Sequence, residues 1–247
     1  MRRGPSARSD FTLTMKATSI RRFFMLLLLV CSQPGLAADF GGYVSLTTDY
    51  VKRGVTQSDG DPALQLGVEI NFENGFFLGA WGSTVDIYRA PDVQRDLEVN
   101  YYAGYDLDVS ESWRLFARMV AYAYPGQTGG FDYDYEEYSI GASFDDRVWL
   151  EVAWSPDLYH TDRSTSNVDL YAEWPLNSIW AIGGGAGYYD TSSLTGRGYA
   201  YWQLGVTAAW SRASIDLRVH DTDQSVPIVS TPERAKSRLV LTLQIPF

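Results

Sequence analysis

Along most of the chain, apolar and polar residues alternate with a period of two, and helical periodicity is nearly absent. Leu64, Leu66, Val68, Ile70 and Phe72 interleave with Gln65, Gly67, Glu69 and Asn71. Leu97, Val99, Tyr101, Ala103, Tyr105 and Leu107 interleave with Asp96, Glu98, Asn100, Tyr102, Gly104 and Asp106. The same rhythm runs through Val148–Trp154, Ile215–Val219 and Leu239–Phe247. It predicts twelve strands, over 41–51, 63–73, 75–85, 95–108, 112–122, 134–144, 147–155, 168–176, 179–189, 198–209, 212–221 and 236–247. Each is about ten residues long, the length that crosses a bilayer at a tilt.

The connections sort into two kinds. Glu73-Asn74-Gly75, Ser110-Glu111, Asp145-Asp146, Asn177-Ser178 and Ser211 are tight turns built from turn-forming residues. Between them lie longer polar segments at 52–62, 86–94, 123–133, 156–167, 190–197 and 222–235, so short and long alternate strictly. A soluble sandwich mixes its turn lengths. An outer-membrane barrel has short turns at one rim, longer loops at the other and an even strand count. The expected fold is therefore all-β, a 12-stranded antiparallel transmembrane outer-membrane β-barrel. Aromatics bracket the short turns (Phe72 and Phe76, Tyr105 and Trp113, Phe144 and Trp149, Trp174 and Trp180, and Trp210), as an interfacial girdle requires. One strand, 75–85, is apolar on both faces. Phe76, Leu78 and Ala80 point outward, while Phe77 and Trp81 either fill the lumen or pack an inward loop.

The N-terminus does not follow this rhythm. Arg21-Arg22, the apolar run Phe23–Val30 and the small-residue stretch Gly35–Ala38 read as a secretory signal peptide over 1–37, too short to span a membrane as a helix. Met15 would start a leader of ordinary length, so residues 1–14 read as an extension from a mis-assigned start. Cys31 follows Val30 where a lipoprotein signal needs a small residue. The barrel is expected over 38–247, without cysteine, which argues against a small disulfide-stapled domain. Six of the 20 Lys/Arg and one of the 30 Asp/Glu fall in the leader, leaving 14 against 29 and a net charge of −15. That balance excludes nucleic acid as a partner.

The alternation places acids and bases inside the barrel. The pore-lining candidates are Glu69, Asp96, Glu98, Glu137, Glu151, Asp169, Glu173 and Asp216, with Arg114, Arg118, Arg218 and Arg238. Acidic linings favour cations. With eight acids against four bases, a conducting barrel is expected to be weakly cation-selective. Alternatively, Arg114 and Arg118 pair with lumen carboxylates in a closed structural or adhesive barrel acting through its loops. An outer-membrane hydrolase needs a rim base. The chain offers His220 beside Asp221 at a strand's outer end and His160 in a loop, with Ser155, Ser225 and Ser230 near only in sequence. No catalytic residue, cofactor or metal site is assigned: the loop acids Asp132, Asp134, Glu136 and Glu137 match no Ca²⁺-loop spacing, and Gly183-Gly184-Gly185 precedes no helix.

The segments 42–70 and 75–86 resemble the start of the TorF-type porin-like family, the Gcw-type conserved hypothetical proteins of proteobacteria. The matching elements are Thr48-Asp49-Tyr50, Arg53-Gly54, Gln57-Ser58, Pro62-Ala63-Leu64-Gln65 and Gly75 through Ser83; Leu66-Gly67 stands where the family often has a glycine pair. The resemblance is dense over the first fifth of the chain and diffuse thereafter. It implies an outer-membrane barrel of porin type in a Gram-negative bacterium. Its densest part falls on the outer-mouth candidates Asp49 and Arg53, which either pair with each other below the Gly54 turn or form a constriction at the mouth. Terminal Phe247, in phase with Leu243 and Ile245, resembles the signal read by the barrel-assembly machinery. The expected partners are therefore that machinery, outer-membrane lipid and lipopolysaccharide, and small solutes or ions.

Overall fold

The computed structural model describes residues 37–86, 97–125, 132–226 and 229–247. The leader expected over 1–37 and the candidate Asp96 lie outside them, Ala37 excepted. Twelve antiparallel strands close into one barrel: β1 (Ala38–Thr47), β4 (Ala63–Phe72), β5 (Phe76–Thr84), β6 (Leu97–Asp108), β7 (Trp113–Ala123), β8 (Tyr135–Phe144), β9 (Val148–Ser155), β10 (Thr165–Pro175), β11 (Trp180–Asp190), β12 (Tyr199–Trp210), β13 (Ala213–Thr222) and β14 (Arg238–Pro246). Each pairs with its chain neighbours, and β14 returns to β1. Closure leaves no unpaired sheet edge. Between β1 and β4 the chain forms a small hairpin, β2 (Val51–Lys52) and β3 (Val55–Thr56), which is not part of the wall. No helix among the described residues is long and apolar enough to cross a membrane.

The predicted strands are all present, with shifted ends. The first runs over Ala38–Thr47 rather than 41–51, because the chain leaves the wall at Thr48 and turns into the hairpin. The closing seam is the shortest in the barrel, with Tyr43↔Pro246 through Thr47↔Thr242 in register. Phe247 extends it: its N–H donates to the Gly42 carbonyl at 2.9 Å, and its carbonyl accepts from the Gly42 N–H at 3.1 Å.

The outward face is apolar. Leu64, Leu66, Ile140, Leu170, Leu204 and Leu239 are all exposed there, at 49–67% of their surface. Trp113 and Phe144 meet at 4.9 Å and Phe72 and Phe76 at 5.8 Å beside the short turns, and Trp174, Trp180 and Trp210 are also exposed. Trp149 departs from the expected girdle. It alternates out of phase with Val148 and Leu150, so its ring turns inward and meets Tyr171 at 5.7 Å.

The inward aromatics explain the glycine content. A Cβ on Gly79 would meet the Tyr102 ring at 2.4 Å, on Gly104 the Phe77 ring at 2.4 Å, and on Gly141 the Phe116 ring at 2.2 Å. Gly67 lies under Tyr43, Gly183 under Tyr171 and Gly187 under Tyr201 in the same way. Each of these rings therefore lies across a glycine on a neighbouring strand, against the wall instead of across the lumen. The same cover protects glycine-bearing sheet elsewhere. Phe77 belongs to this set. Trp81 instead packs edge-on against Tyr50 of the inward loop, with centroids 5.2 Å apart. What core exists lies within the long-loop end of the barrel, in two clusters: Val55, Tyr189, Tyr199, Tyr201 and Val226, and Tyr124, Tyr135 and Leu158.

Candidate functional site

The β2–β3 hairpin projects into the lumen from the long-loop rim. Its two-residue turn, Arg53-Gly54, has positive φ at both positions (49° and 74°), as primed hairpin turns require. Gly54 is fixed by close approach as well, since a Cβ there would lie 2.3 Å from Thr222 Cγ2 and 2.9 Å from Tyr201 Cβ. The root of the hairpin is a polar knot. The Asp49 carboxylate, 6% exposed, accepts from Thr56 Oγ1, and its second oxygen accepts from Arg238 at 3.0 Å. Ser58 Oγ lies 2.9 Å from the same carboxylate and accepts the Tyr50 N–H at 2.9 Å. Arg234 reaches the Asp86 and Thr56 carbonyls from above.

From this root the two cations at the tip cross to the far wall. Arg53 Nη2 donates to both oxygens of Glu137 on β8 at 2.8 Å, and its guanidinium lies 4.6 Å from the centre of the Tyr189 ring on β11. Lys52 Nζ donates to the Tyr135 hydroxyl at 2.8 Å and sits 3.6 Å from the centre of the Tyr122 ring. Tyr122 and Tyr135 are themselves stacked, 4.3 Å apart and nearly parallel, so the ammonium caps a two-ring stack. Around the twelve-strand ring β8 lies four strands from β4 and five from β1, and β11 four from β1, so the contacts cross the lumen. The hairpin divides the interior. Towards the loops is a pocket of about 100 Å³ bounded by Tyr124, Tyr133, Tyr159, Tyr199 and Arg234. Below is a cavity of about 330 Å³ bounded by Arg118, Glu137, Glu151, Asp169, Gln203 and His220. Lys52 and Arg53 line both.

The expected pairing of Asp49 with Arg53 is not what forms. Asp49 binds Arg238, and Arg53 points the other way, into Glu137. Arg118 pairs with Glu151 at 2.6 Å and Arg218 with Asp216 at 2.9 Å. Arg114 lies at the short-turn rim, half exposed, between Asp108 at 2.7 Å and Asp146 at 3.5 Å. The other inward acids have neutral partners. Glu69 accepts from Asn71 at 2.9 Å, Glu98 from Asn100 at 2.8 Å and Glu173 from Tyr171 at 3.2 Å, while Asp169 accepts from Tyr201 and Asn167. None of these four has a cationic side chain at salt-bridge distance among the described residues. His220 is third from the long-loop end of β13, opposite Gln203 and the first residue of β14, Arg238, and lines the lower cavity. It lies near the outer strand end where a hydrolase base was expected, and no hydroxyl is hydrogen-bonded to it among the described residues. Lys52, Tyr50, Tyr122, Tyr135 and Tyr189 were not among the sequence candidates. The available signal was Lys52-Arg53-Gly54, a basic pair at a glycine turn in an otherwise acidic chain.

Burial lowers the Lys52 pKa to about 8, with the nearby Glu98 and Glu137 opposing the shift. Burial raises the loop tyrosines Tyr50, Tyr124 and Tyr159, which therefore stay neutral as Lys52 titrates. A swung-out hairpin would return Lys52 to its ordinary value of 10.5. The seated form then holds fewer protons than the released form between those two values, so raising the pH through that window favours seating. Below about pH 8 lysine is charged in both states and the effect vanishes. Accessibility of a Val55→Cys thiol, buried while the hairpin is seated, to a water-soluble maleimide is expected to fall from pH 8 to pH 10 after correction for thiol ionisation. A Lys52→Met background should flatten the change, and an equal fall in that background would refute the assignment.

Residues 33–245 match the family of bacterial proteins of unknown function termed Gcw_chp, and the chain belongs to that family. No curated protein matches it in sequence. Among solved structures, it is similar to the KdgM porin, with 10% identity over 85% of this chain and 99% of that one, at a TM-score of 0.52. The KdgM porin in complex with disordered oligogalacturonate gives 10% identity, the same coverages and a TM-score of 0.51. The NanC porin gives 11% identity over 86% and 99%, at 0.52. At these identities the likeness is one of fold: this chain has the barrel fold of outer-membrane porins.

Proposed function

We propose that the protein is a porin-like channel of the Gram-negative outer membrane, passing small solutes or ions passively and favouring cations weakly, with the β2–β3 hairpin as its constriction. The single observation that carries this reading is the inside-out barrel: an apolar outer belt around a lumen of charged and polar groups. The belt suits lipid and lipopolysaccharide as surroundings, and the Gly42–Phe247 seam suits recognition of Phe247 by the assembly machinery during insertion. The TorF-type porin assignment is part of the same proposal. Cation preference is supported by the charge accounting. Arg53, Arg114, Arg118, Arg218 and Arg238 are each neutralised by a carboxylate, whereas Glu69, Glu98, Asp169 and Glu173 are not. The oligogalacturonate of the KdgM complex, a polyanion, is not carried over to this lumen. The reading assigns no catalytic role to His220, which has no hydroxyl hydrogen-bonded to it among the described residues.

The test is planar-bilayer conductance of the refolded mature protein under a potassium chloride gradient. Discrete steps with a reversal potential on the cation side are expected, moving towards zero in Glu69→Gln/Asp169→Asn. A folded barrel without steps would overturn the channel and favour the structural or adhesive reading, which the hairpin across the lumen specifically supports.

A further inference from the structure

We propose that the β7–β8 wall facing the hairpin is a binding site for small organic cations carrying a primary ammonium or guanidinium group, and that Lys52 and Arg53 occupy it as tethered ligands. The role of this site in transport rests on the channel reading; the site itself does not.

The wall holds the recognition chemistry for both groups. The ammonium seat is the face of Tyr122 at 3.6 Å with the Tyr135 hydroxyl at 2.8 Å, a cation–aromatic arrangement with one hydrogen-bond acceptor. The guanidinium seat is the Glu137 carboxylate, both oxygens engaged, with the Tyr189 ring at 4.6 Å. The wall is also under-satisfied with respect to positive charge. Glu98 is fully buried beside this cluster, bonded to Asn100 and Tyr50 through one oxygen, while Glu98 Oε2 and Asn100 Oδ1 have no hydrogen-bond donor. Two adjacent buried acceptors without donors call for a proton donor or cation that the hairpin does not deliver. The tethered occupant is held at a conformational cost, because Arg53 sits at φ 49°, a region L-residues enter reluctantly. A free ligand of the same chemistry carries no such constraint. An anionic solute would have to meet Glu98 and Glu137 across the same wall.

The experiment removes the tethered groups and supplies them free. Lys52→Met/Arg53→Met, refolded in detergent, is titrated calorimetrically with agmatine, which carries one ammonium and one guanidinium, and with glucuronate as the anionic control. An occupant tethered at millimolar effective concentration competes with the free one, so agmatine is expected to bind the variant about tenfold or more tightly than wild type. Adding Glu137→Gln should abolish that gain, and glucuronate should bind neither protein. Agmatine binding no tighter than in wild type, binding that survives Glu137→Gln, or preference for glucuronate would each overturn the site. Arg53→Met alone carries the same expectation for the guanidinium seat if the double variant does not fold. Calorimetry reads binding without current: a barrel that binds agmatine and does not conduct keeps the site and loses the channel, whereas one that conducts and does not bind it loses the site alone.

Discussion

Replacing Tyr50–Val55 with a Gly-Ser linker, while keeping Asp49, Thr56 and Ser58, is expected to raise single-channel conductance several-fold and to move the reversal potential further towards cations. The two effects have separate causes. Conductance rises because the hairpin is what separates the outer pocket of about 100 Å³ from the cavity of about 330 Å³ below it; with the tip gone the two become continuous. Below it, the rings of Phe77, Tyr102, Phe116 and Tyr171 each lie over a glycine of a neighbouring strand, which keeps them near the wall. Selectivity shifts because Lys52 and Arg53 leave together. Glu137 then loses its partner at 2.8 Å, and Glu98 keeps only neutral neighbours, so the lining becomes more negative by two charges. In a narrow, low-dielectric lumen such a change is felt strongly by a passing ion. The measurement is a pair of bilayer recordings in the same salt gradient, with heat-modifiability on gels to show that both barrels are folded. Unchanged conductance would place the narrowest point elsewhere and remove the hairpin from the mechanism. Increased conductance with unchanged reversal would keep the constriction and reject the electrostatic part.

The barrel was legible in the sequence for a physical reason. A strand with lipid on one side and a polar lumen on the other must alternate at every step, and Leu64–Phe72 or Leu239–Ile245 do so almost without exception. The turns were equally plain, since Asn74-Gly75 and Asp145-Asp146 are short, local and use residues that accept positive φ. Trp149 sits beside a turn yet faces inward, because phase within the strand, not nearness to a turn, decides which side a ring faces. The site was less legible because its contacts are remote in sequence. Arg53 and Glu137 are 84 residues apart, and Asp49 and Arg238 are 189 apart. Local charge arithmetic paired Asp49 with Arg53, four positions away. Nothing local says that a hairpin with Arg53 at its turn aims those two groups in opposite directions. The glycines carried information that only cross-strand register releases: Gly104 pairs with Phe77 and Gly79 with Tyr102, so each ring covers its partner's missing side chain.

Glu137→Gln is the second large effect expected, and it distinguishes a seated gate from a fixed plug. Glu137 and Arg53 have side chains only 8% and 12% exposed, so removing one charge leaves the other buried and unpaired. Breaking such a pair costs about 3–5 kcal/mol when the orphaned charge cannot escape. Here it can escape. Arg53 belongs to a hairpin outside the wall's strand pairing, so the twelve-strand barrel does not depend on it for pairing. The hairpin is tied at its root to Arg238 through Asp49 and held at its tip by side chains alone, Lys52 on Tyr122 and Tyr135 and Val55 among Tyr189, Tyr199 and Tyr201. The cost should therefore appear as release of the hairpin rather than as unfolding of the barrel. The expected result is higher and noisier conductance with a barrel melting temperature close to wild type. Arg53→Met should act in the same direction, and the double variant should fall well short of the sum of the two. A coupling of about 1 kcal/mol or more from the open-state populations would identify a direct pair. If Glu137→Gln instead lowers the melting temperature strongly without changing the current, the pair is a structural brace and the hairpin does not move. If the two substitutions simply add, the 2.8 Å contact does not carry the energy that holds the hairpin across the lumen.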